Sequence, residues 1–145
     1  MTPNDEHPSD GSVQREAEEV IRKALAKKLD LEFGAAPEEL GTLQPDAFAD
    51  GPEPTCVEIW AHQGPAKGGQ KHKVMTDMCK LLYVERLLSK PCRKIFAVGD
   101  EAAISFLKTS WQGRFAREFE IELQVVGVPE ELSARIWGAQ RRQFR

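Results

Sequence analysis

Pro45-Asp46-Ala47-Phe48-Ala49-Asp50-Gly51-Pro52-Glu53-Pro54-Thr55-Cys56-Val57-Glu58-Ile59-Trp60-Ala61-His62 is the stretch on which the reading of this chain turns. Two runs able to form strands flank Asp50-Gly51-Pro52-Glu53-Pro54, a cluster of turn-forming residues. An antiparallel hairpin of Leu43 to Ala49 with Thr55 to His62, with Ala49 opposite Thr55, sets Asp46 directly across from Glu58. Side chains alternate along a strand, so Asp46, Phe48, Glu58, Trp60 and His62 fall on one face. Two carboxylates set opposite each other repel by roughly 0.2–1 kcal/mol. The pairing therefore points to a cation between them, and oxygen donors suit a hard ion, Mg²⁺ or Mn²⁺.

Outward from the hairpin, the chain alternates helical and extended patterns. Met1 to Gly11 is polar with two prolines and reads as a disordered tail. From Ser12 to Lys28, Val13, Ala17, Val20, Ile21, Ala24 and Leu25 recur at helical spacing, with Glu16, Glu18 and Glu19 near the positive end of the dipole. Leu29 to Gly41 reads as a connection, with room for a short strand at Leu29 to Phe33. Beyond the hairpin, Gln70 to Ser89 predicts a second helix and Lys94 to Val98 a buried strand. A third helix is expected over Glu101 to Phe119, a strand over Ile121 to Val128, and a last helix from Pro129-Glu130-Glu131 to about Gln140, followed by a frayed basic end. This order predicts one α/β domain over residues 12–145, a mixed central sheet flanked by helices with parallel strands where helices intervene.

The bulk properties bound the function. A chain of 145 residues, 41% apolar, is long enough for one domain with a real core. It has no apolar run of membrane-spanning length and no apolar leader, so a soluble, unexported protein with no membrane partner is expected. Cys56, Cys79 and Cys92 form no C-x-x-C pair and leave one cysteine over, which fits the reducing cytoplasm. Neither they nor His62 and His72 show zinc spacing. The net charge of -3 hides an uneven distribution: residues 67–94 carry 8 basic and 2 acidic side chains, a local +6, while residues 1–66 carry 5 basic and 14 acidic. A basic patch beside a carboxylate pair suits a phosphodiester substrate; a solvated helix face explains it equally well.

An acidic residue on one strand and a Glu on the next, after an amphipathic helix and before a basic one, resembles the PD-(D/E)xK, or restriction-endonuclease-like, phosphodiesterase superfamily. The resemblance spans about residues 12 to 128. The run Glu58 to Gly64, then Lys67-Gly68-Gly69-Gln70, Lys73, Asp77 and Lys80, resembles a branch of small bacterial proteins within it. The resemblance implies a restriction-endonuclease-like core and Mg²⁺-dependent hydrolysis of DNA or RNA. Asp46 and Glu58 would hold the metal, the Ile59 carbonyl and Glu18 would be further ligands, and a homodimer is one expected assembly. The pattern places a Lys two residues after the Glu, where this chain has Trp60. Either Lys67, Lys71 or Lys73 takes that role, or catalysis has been lost and the domain is an inactive nucleic-acid-binding or protein-interaction module. A small-molecule-binding α/β protein is a third reading.

On a helical wheel of the second helix, Val74, Met75, Met78, Cys79, Leu81, Leu82 and Leu88 share one arc and Lys73, Asp77 and Lys80 another. Lys73 and Lys67 compete for the catalytic position, while Gln70, Lys71, Lys80 and His62 are candidates for binding substrate. Each has a plainer role open to it. Lys73-Asp77 is an i, i+4 surface pair, Glu18 an exposed helix glutamate, and Trp60 a core side chain. The Gly68-Gly69 pair is no phosphate loop, because the G-x-x-x-x-G-K-[ST] pattern is missing.

Overall fold

The computed structural model describes residues 8–143. In chain order it contains α1 (Pro8–Leu29), β1 (Ala47–Ala49), β2 (Thr55–Trp60), α2 (Gly68–Leu88), β3 (Arg93–Val98), α3 (Trp111–Glu118), β4 (Ile121–Val125) and α4 (Glu130–Gln143), with 3-10 turns at Glu38–Leu40 and Glu101–Lys108. The four strands form one mixed sheet in the order β1-β2-β3-β4. β1 runs antiparallel to β2, and β3 and β4 follow parallel. The expected α/β architecture with a mixed sheet is therefore present.

Strand alternation sorts the core into two layers. Phe48, Cys56, Trp60, Phe96 and Val98 face Val74, Met78, Leu81 and Val84 of α2, together with Ala103, Ile104, Leu107 and Ala116. Ala47, Val57, Ile59, Ala61, Ile95 and Ala97 face Val13, Ala17, Ile21 and Leu25 of α1 and Leu132 and Ile136 of α4. Helices thus cover both faces, as a parallel sheet requires. Both crossover connections, through α2 and through α3, lie on one side, as connections of one hand must. On the other side, Arg135 ties α4 to α1 by a two-pronged pair to Glu16, at 3.0 and 2.9 Å.

The hairpin register is the one expected, with Ala49 opposite Thr55 and Ala47 opposite Val57. The strands are shorter than the patterns suggested. β1 begins at Ala47, because Gly41 takes a left-handed φ of 58°, Leu43 N–H closes a turn on Leu40 C=O at 3.0 Å, and Pro45 lacks an N–H for the ladder. Leu29 to Phe33 is no strand: Asp30 ends α1 at φ 55°, and the segment beyond offers β1 only the 2.8 Å bond from Gly34 N–H to Phe48 C=O. β4 stops at Val125, since its partner β3 ends at Val98.

The helices differ in detail too. The expected single helix over 101–119 is a 3-10 turn and a separate α3. Ser110 breaks it by capping α3, its hydroxyl accepting from Gly113 N–H. Gly113 is needed there, because a Cβ would stand 1.7 Å from Leu107 O. Pro8 to Gly11, read as tail, belongs to α1, while the Met1 to His7 part of that reading lies outside the described residues. Likewise α4 continues to Gln143, and only Phe144 and Arg145 of the frayed end lie outside them. The apolar arc of α2 is also rotated: Cys79 is exposed, Met75, Leu82 and Leu88 are half-buried, and Asp77 and Val84 are buried instead.

Candidate active site

The short β1 leaves the far half of β2 without a full neighbour on its outer edge, and the carboxylates gather there. Continuing the register one step puts Asp46 across from Glu58. The two are laced together: Asp46 N–H donates to Glu58 Oε2 at 3.0 Å, and Ile59 N–H donates to Asp46 Oδ2 at 2.7 Å. Pro45, the next residue on the β1 side, has no hydrogen to offer Ile59 C=O. That carbonyl leaves the strand on the same edge as its N–H, so it opens beside the two carboxylates.

Glu58 is only 3% exposed. It points to the α2 side of the sheet, where Lys80 Nζ lies 3.2 Å from its Oε1. About two turns earlier, Lys73 Nζ pairs with the buried Asp77 at 2.8 Å and stands 6.0 Å from the centre of the Trp60 ring. Trp60 stacks on His62 in turn, with ring centres 4.5 Å apart. The aligned side chains Glu58, Trp60 and His62 therefore run along one face of β2 beneath Lys80 and Lys73. On the α1 side, Arg15, Glu18, Glu19 and Arg22 line a cavity of about 250 Å³ with Asp46 and Ile59.

The charges couple across this cleft. Burial, then the Asp46 carboxylate, push Glu58 from 4.5 up to about 7 against the pull of Lys80. Asp46 is raised chiefly by desolvation, opposed first by its bond from Ile59 N–H. It is exposed at the rim, so its desolvation is that of a crowded edge and weighs less than that of Glu58. Glu18 is also raised, by desolvation first and by Asp46 second. The cluster is thus a gathering of carboxylates whose charge Lys73, Lys80, Arg15 and Arg22 offset in part.

Of the residues singled out in the sequence, Glu18, Asp46 and Ile59 line the cavity on the α1 side, while Glu58, Lys73 and Lys80 meet on the α2 side of the same sheet edge. Lys80 rather than Lys73 or Lys67 touches Glu58. His62, Lys67 and Gln70 instead line a second cavity with Trp137 and Arg141, and Lys71 reaches over the Phe106 ring at 5.4 Å. Asp77 enters as the buried anchor of Lys73; its place on the Lys73-Lys80 arc was the signal for it.

The donors fit a hard divalent ion, being oxygens throughout. Among the described residues no three His, Cys, Asp or Glu side chains converge on one point. Mg²⁺, however, commonly takes only one or two carboxylates and completes its shell with water and substrate phosphate. Each carboxylate oxygen keeps a lone pair beyond its hydrogen bond. No helix of the described residues is long and apolar enough to cross a membrane. Comparison with protein-family models, with curated proteins and with solved structures finds no match.

Proposed function

We propose that the protein is a metal-dependent nuclease with a restriction-endonuclease-like core, hydrolysing phosphodiester bonds of nucleic acid with Mg²⁺ or Mn²⁺. The observation that carries this reading is the 3.2 Å approach of Lys80 to buried Glu58, itself across from Asp46. The superfamily pattern places its lysine two residues after the Glu, where this chain has Trp60. A lysine entering from α2 supplies the same ammonium to the same carboxylate.

Asp46, Glu58 and the Ile59 carbonyl would hold the ion, with the Glu18 carboxylate adding its charge from the α1 side of the cavity. When bound, the ion supplies Lewis acidity at a phosphoryl oxygen and an acidified water. Lys80 positions the attacking oxygen and offsets the negative charge that develops on the phosphoryl group. Lys73, held by Asp77, presents a second cation over Trp60, where the backbone of the substrate would pass. The 67–94 segment adds the wider positive field that draws a polyanion in. The three cysteines are free, and two of them buried, which supports a place in the cytoplasm.

One observation favours a second reading, an inactive binding module: Trp60 is buried and stacked in the position of the pattern lysine. Incubating purified protein with single- and double-stranded DNA and RNA decides between them. Cleavage that needs Mg²⁺, stops with chelator and falls roughly 10²- to 10³-fold in Lys80→Ala upholds the nuclease. Binding without cleavage by the wild type, across the whole panel, leaves the module.

A further inference from the structure

The second cavity, of about 490 Å³, is lined by His62, Pro65, Lys67, Gln70, Trp137 and Arg141, with Gln63 and Gln140. It opens past the carboxyl end of β2, on the side where open α/β sheets present ligand sites. The 61–66 loop that floors it is firmly built. Gln63 N–H donates to Gln140 Oε1 at 2.8 Å, Gln140 Nε2 returns to Gln63 O at 2.9 Å, and Ser133 Oγ binds Gln63 Oε1 at 2.8 Å. Gly64 adopts a left-handed φ of 83°, and the benzo edge of the Trp137 indole lies against it; a Cβ there would meet the ring at 2.4 Å. A large aromatic side chain, 40% exposed, is therefore braced against the loop at the cavity, which lessens the freedom it loses on binding.

Among the described residues, the charges of the lining are of one sign. Lys67 and Arg141 are cationic, and among the described residues no carboxylate lines the cavity. Asp100 is drawn aside by Gly64 N–H at 2.7 Å and Ala102 N–H at 3.2 Å. Desolvation lowers the pKa of His62, so its ring is neutral at neutral pH and adds no charge to the cavity. A fixed indole beside two cations matches a flat heteroaromatic ring carrying a phosphate. The Trp60–His62 stack joins this cavity to Glu58 along one face of β2.

We infer that this cavity receives a nucleotide unit of single-stranded nucleic acid, its base against Trp137 and its phosphate toward Lys67 and Arg141. A base paired inside a duplex cannot present its face to the indole, so the cavity selects single strands or locally opened ones. This rests on the nuclease reading for the source of the nucleotide. Binding is therefore measured apart from catalysis, in chelator, with the full chain.

The probes are a fluorescently labelled single-stranded oligonucleotide, a duplex of the same sequence, a mononucleotide and inorganic phosphate. The single strand should bind in preference to the duplex. Trp137→Ala should weaken it roughly tenfold, as removal of one base stack does, while Trp137→Phe retains most of the affinity. Arg141→Ala, on an exposed residue that leaves the packing of Trp137 on Gly64 intact, should weaken it and flatten its salt dependence. Equal binding of single strand and duplex, or unchanged binding by Trp137→Ala and Arg141→Ala, overturns the inference, and does so without touching the nuclease reading if Mg²⁺-dependent cleavage persists. Mononucleotide binding that the single strand does not compete away also overturns it. Single-strand binding weakened about tenfold in Trp137→Ala and kept in Trp137→Phe upholds it even where no cleavage is seen.

Discussion

Glu58→Gln should make the metal-free protein more stable at alkaline pH, although it removes one side of a buried ion pair. In the fold the Glu58 carboxyl is pushed from 4.5 to about 7, by burial first and the Asp46 charge second. A carboxyl that holds its proton more tightly in the folded state contributes stability below its unfolded value, and that contribution is lost as pH rises toward about 7. Above that, the ionised side chain opposes folding by about 3 kcal/mol, taking about 1.4 kcal/mol per tenfold change in proton affinity. Glutamine keeps an acceptor oxygen for Asp46 N–H, turns its amide NH2 toward the partly exposed Lys80, and carries no charge. In urea unfolding with chelator at pH 8, Glu58→Gln should gain up to about 3 kcal/mol over wild type. For a chain of this size that is on the order of 10 °C in melting temperature. The gain should shrink through pH 7 to 5 and vanish near 4.5. A variant less stable than wild type at pH 8, or a difference that ignores pH, would refute the claim that unrelieved negative charge gathers at Glu58.

Other outcomes follow from the same geometry. Millimolar Mg²⁺ or Mn²⁺ should raise the wild-type melting temperature, because an ion bound only by the folded state stabilises it by RT ln(1 + [L]/Kd). The increment should grow between pH 6 and 8, as Glu58 gives up its competing proton, and thermal melts at both values check this. Lys73→Ala should weaken nucleic-acid binding and reduce its salt slope by about one for each phosphate that the ammonium no longer neutralises, with less effect on the cleavage step than Lys80→Ala; salt-titrated binding beside single-turnover cleavage separates the two. At the C-terminal end of α2, buried Lys94 of β3 pairs with Glu85 at 2.9 Å. Burial would raise Glu85, but the Cys92 N–H and Lys94 outweigh it and hold its pKa low. Glu85→Ala should cost about 3 kcal/mol in urea unfolding, because it strands a buried ammonium.

The hairpin was legible because two local signals agree. The turn residues from Asp50 to Pro54 fix the loop, and strand alternation does the rest, so the Asp46-Glu58 juxtaposition could be counted from the sequence. The identity of the lysine could not. Lys73, Asp77 and Lys80 share one arc, yet which of them meets Glu58 depends on how far α2 slides along the sheet, a matter of tertiary packing. Trp137 was invisible for a related reason: its partner Gly64 lies on a loop far away in sequence, and only the docking of α4 brings them together. The break in the 101–119 segment is hidden in the sequence because the apolar spacing runs on through it. Ser110 and Gly113, three residues apart, were the local sign of a new helix start.

Diffraction from crystals soaked in Mn²⁺ at pH 8, with anomalous data collected to locate the metal, tests most directly whether Asp46 and Glu58 share a cation. A single strong peak within about 2.5 Å of oxygens of both carboxylates, present in wild type and missing from Glu58→Gln, is the predicted result. A cleft without a peak at saturating Mn²⁺, or a peak bound to other residues alone, would contradict the account.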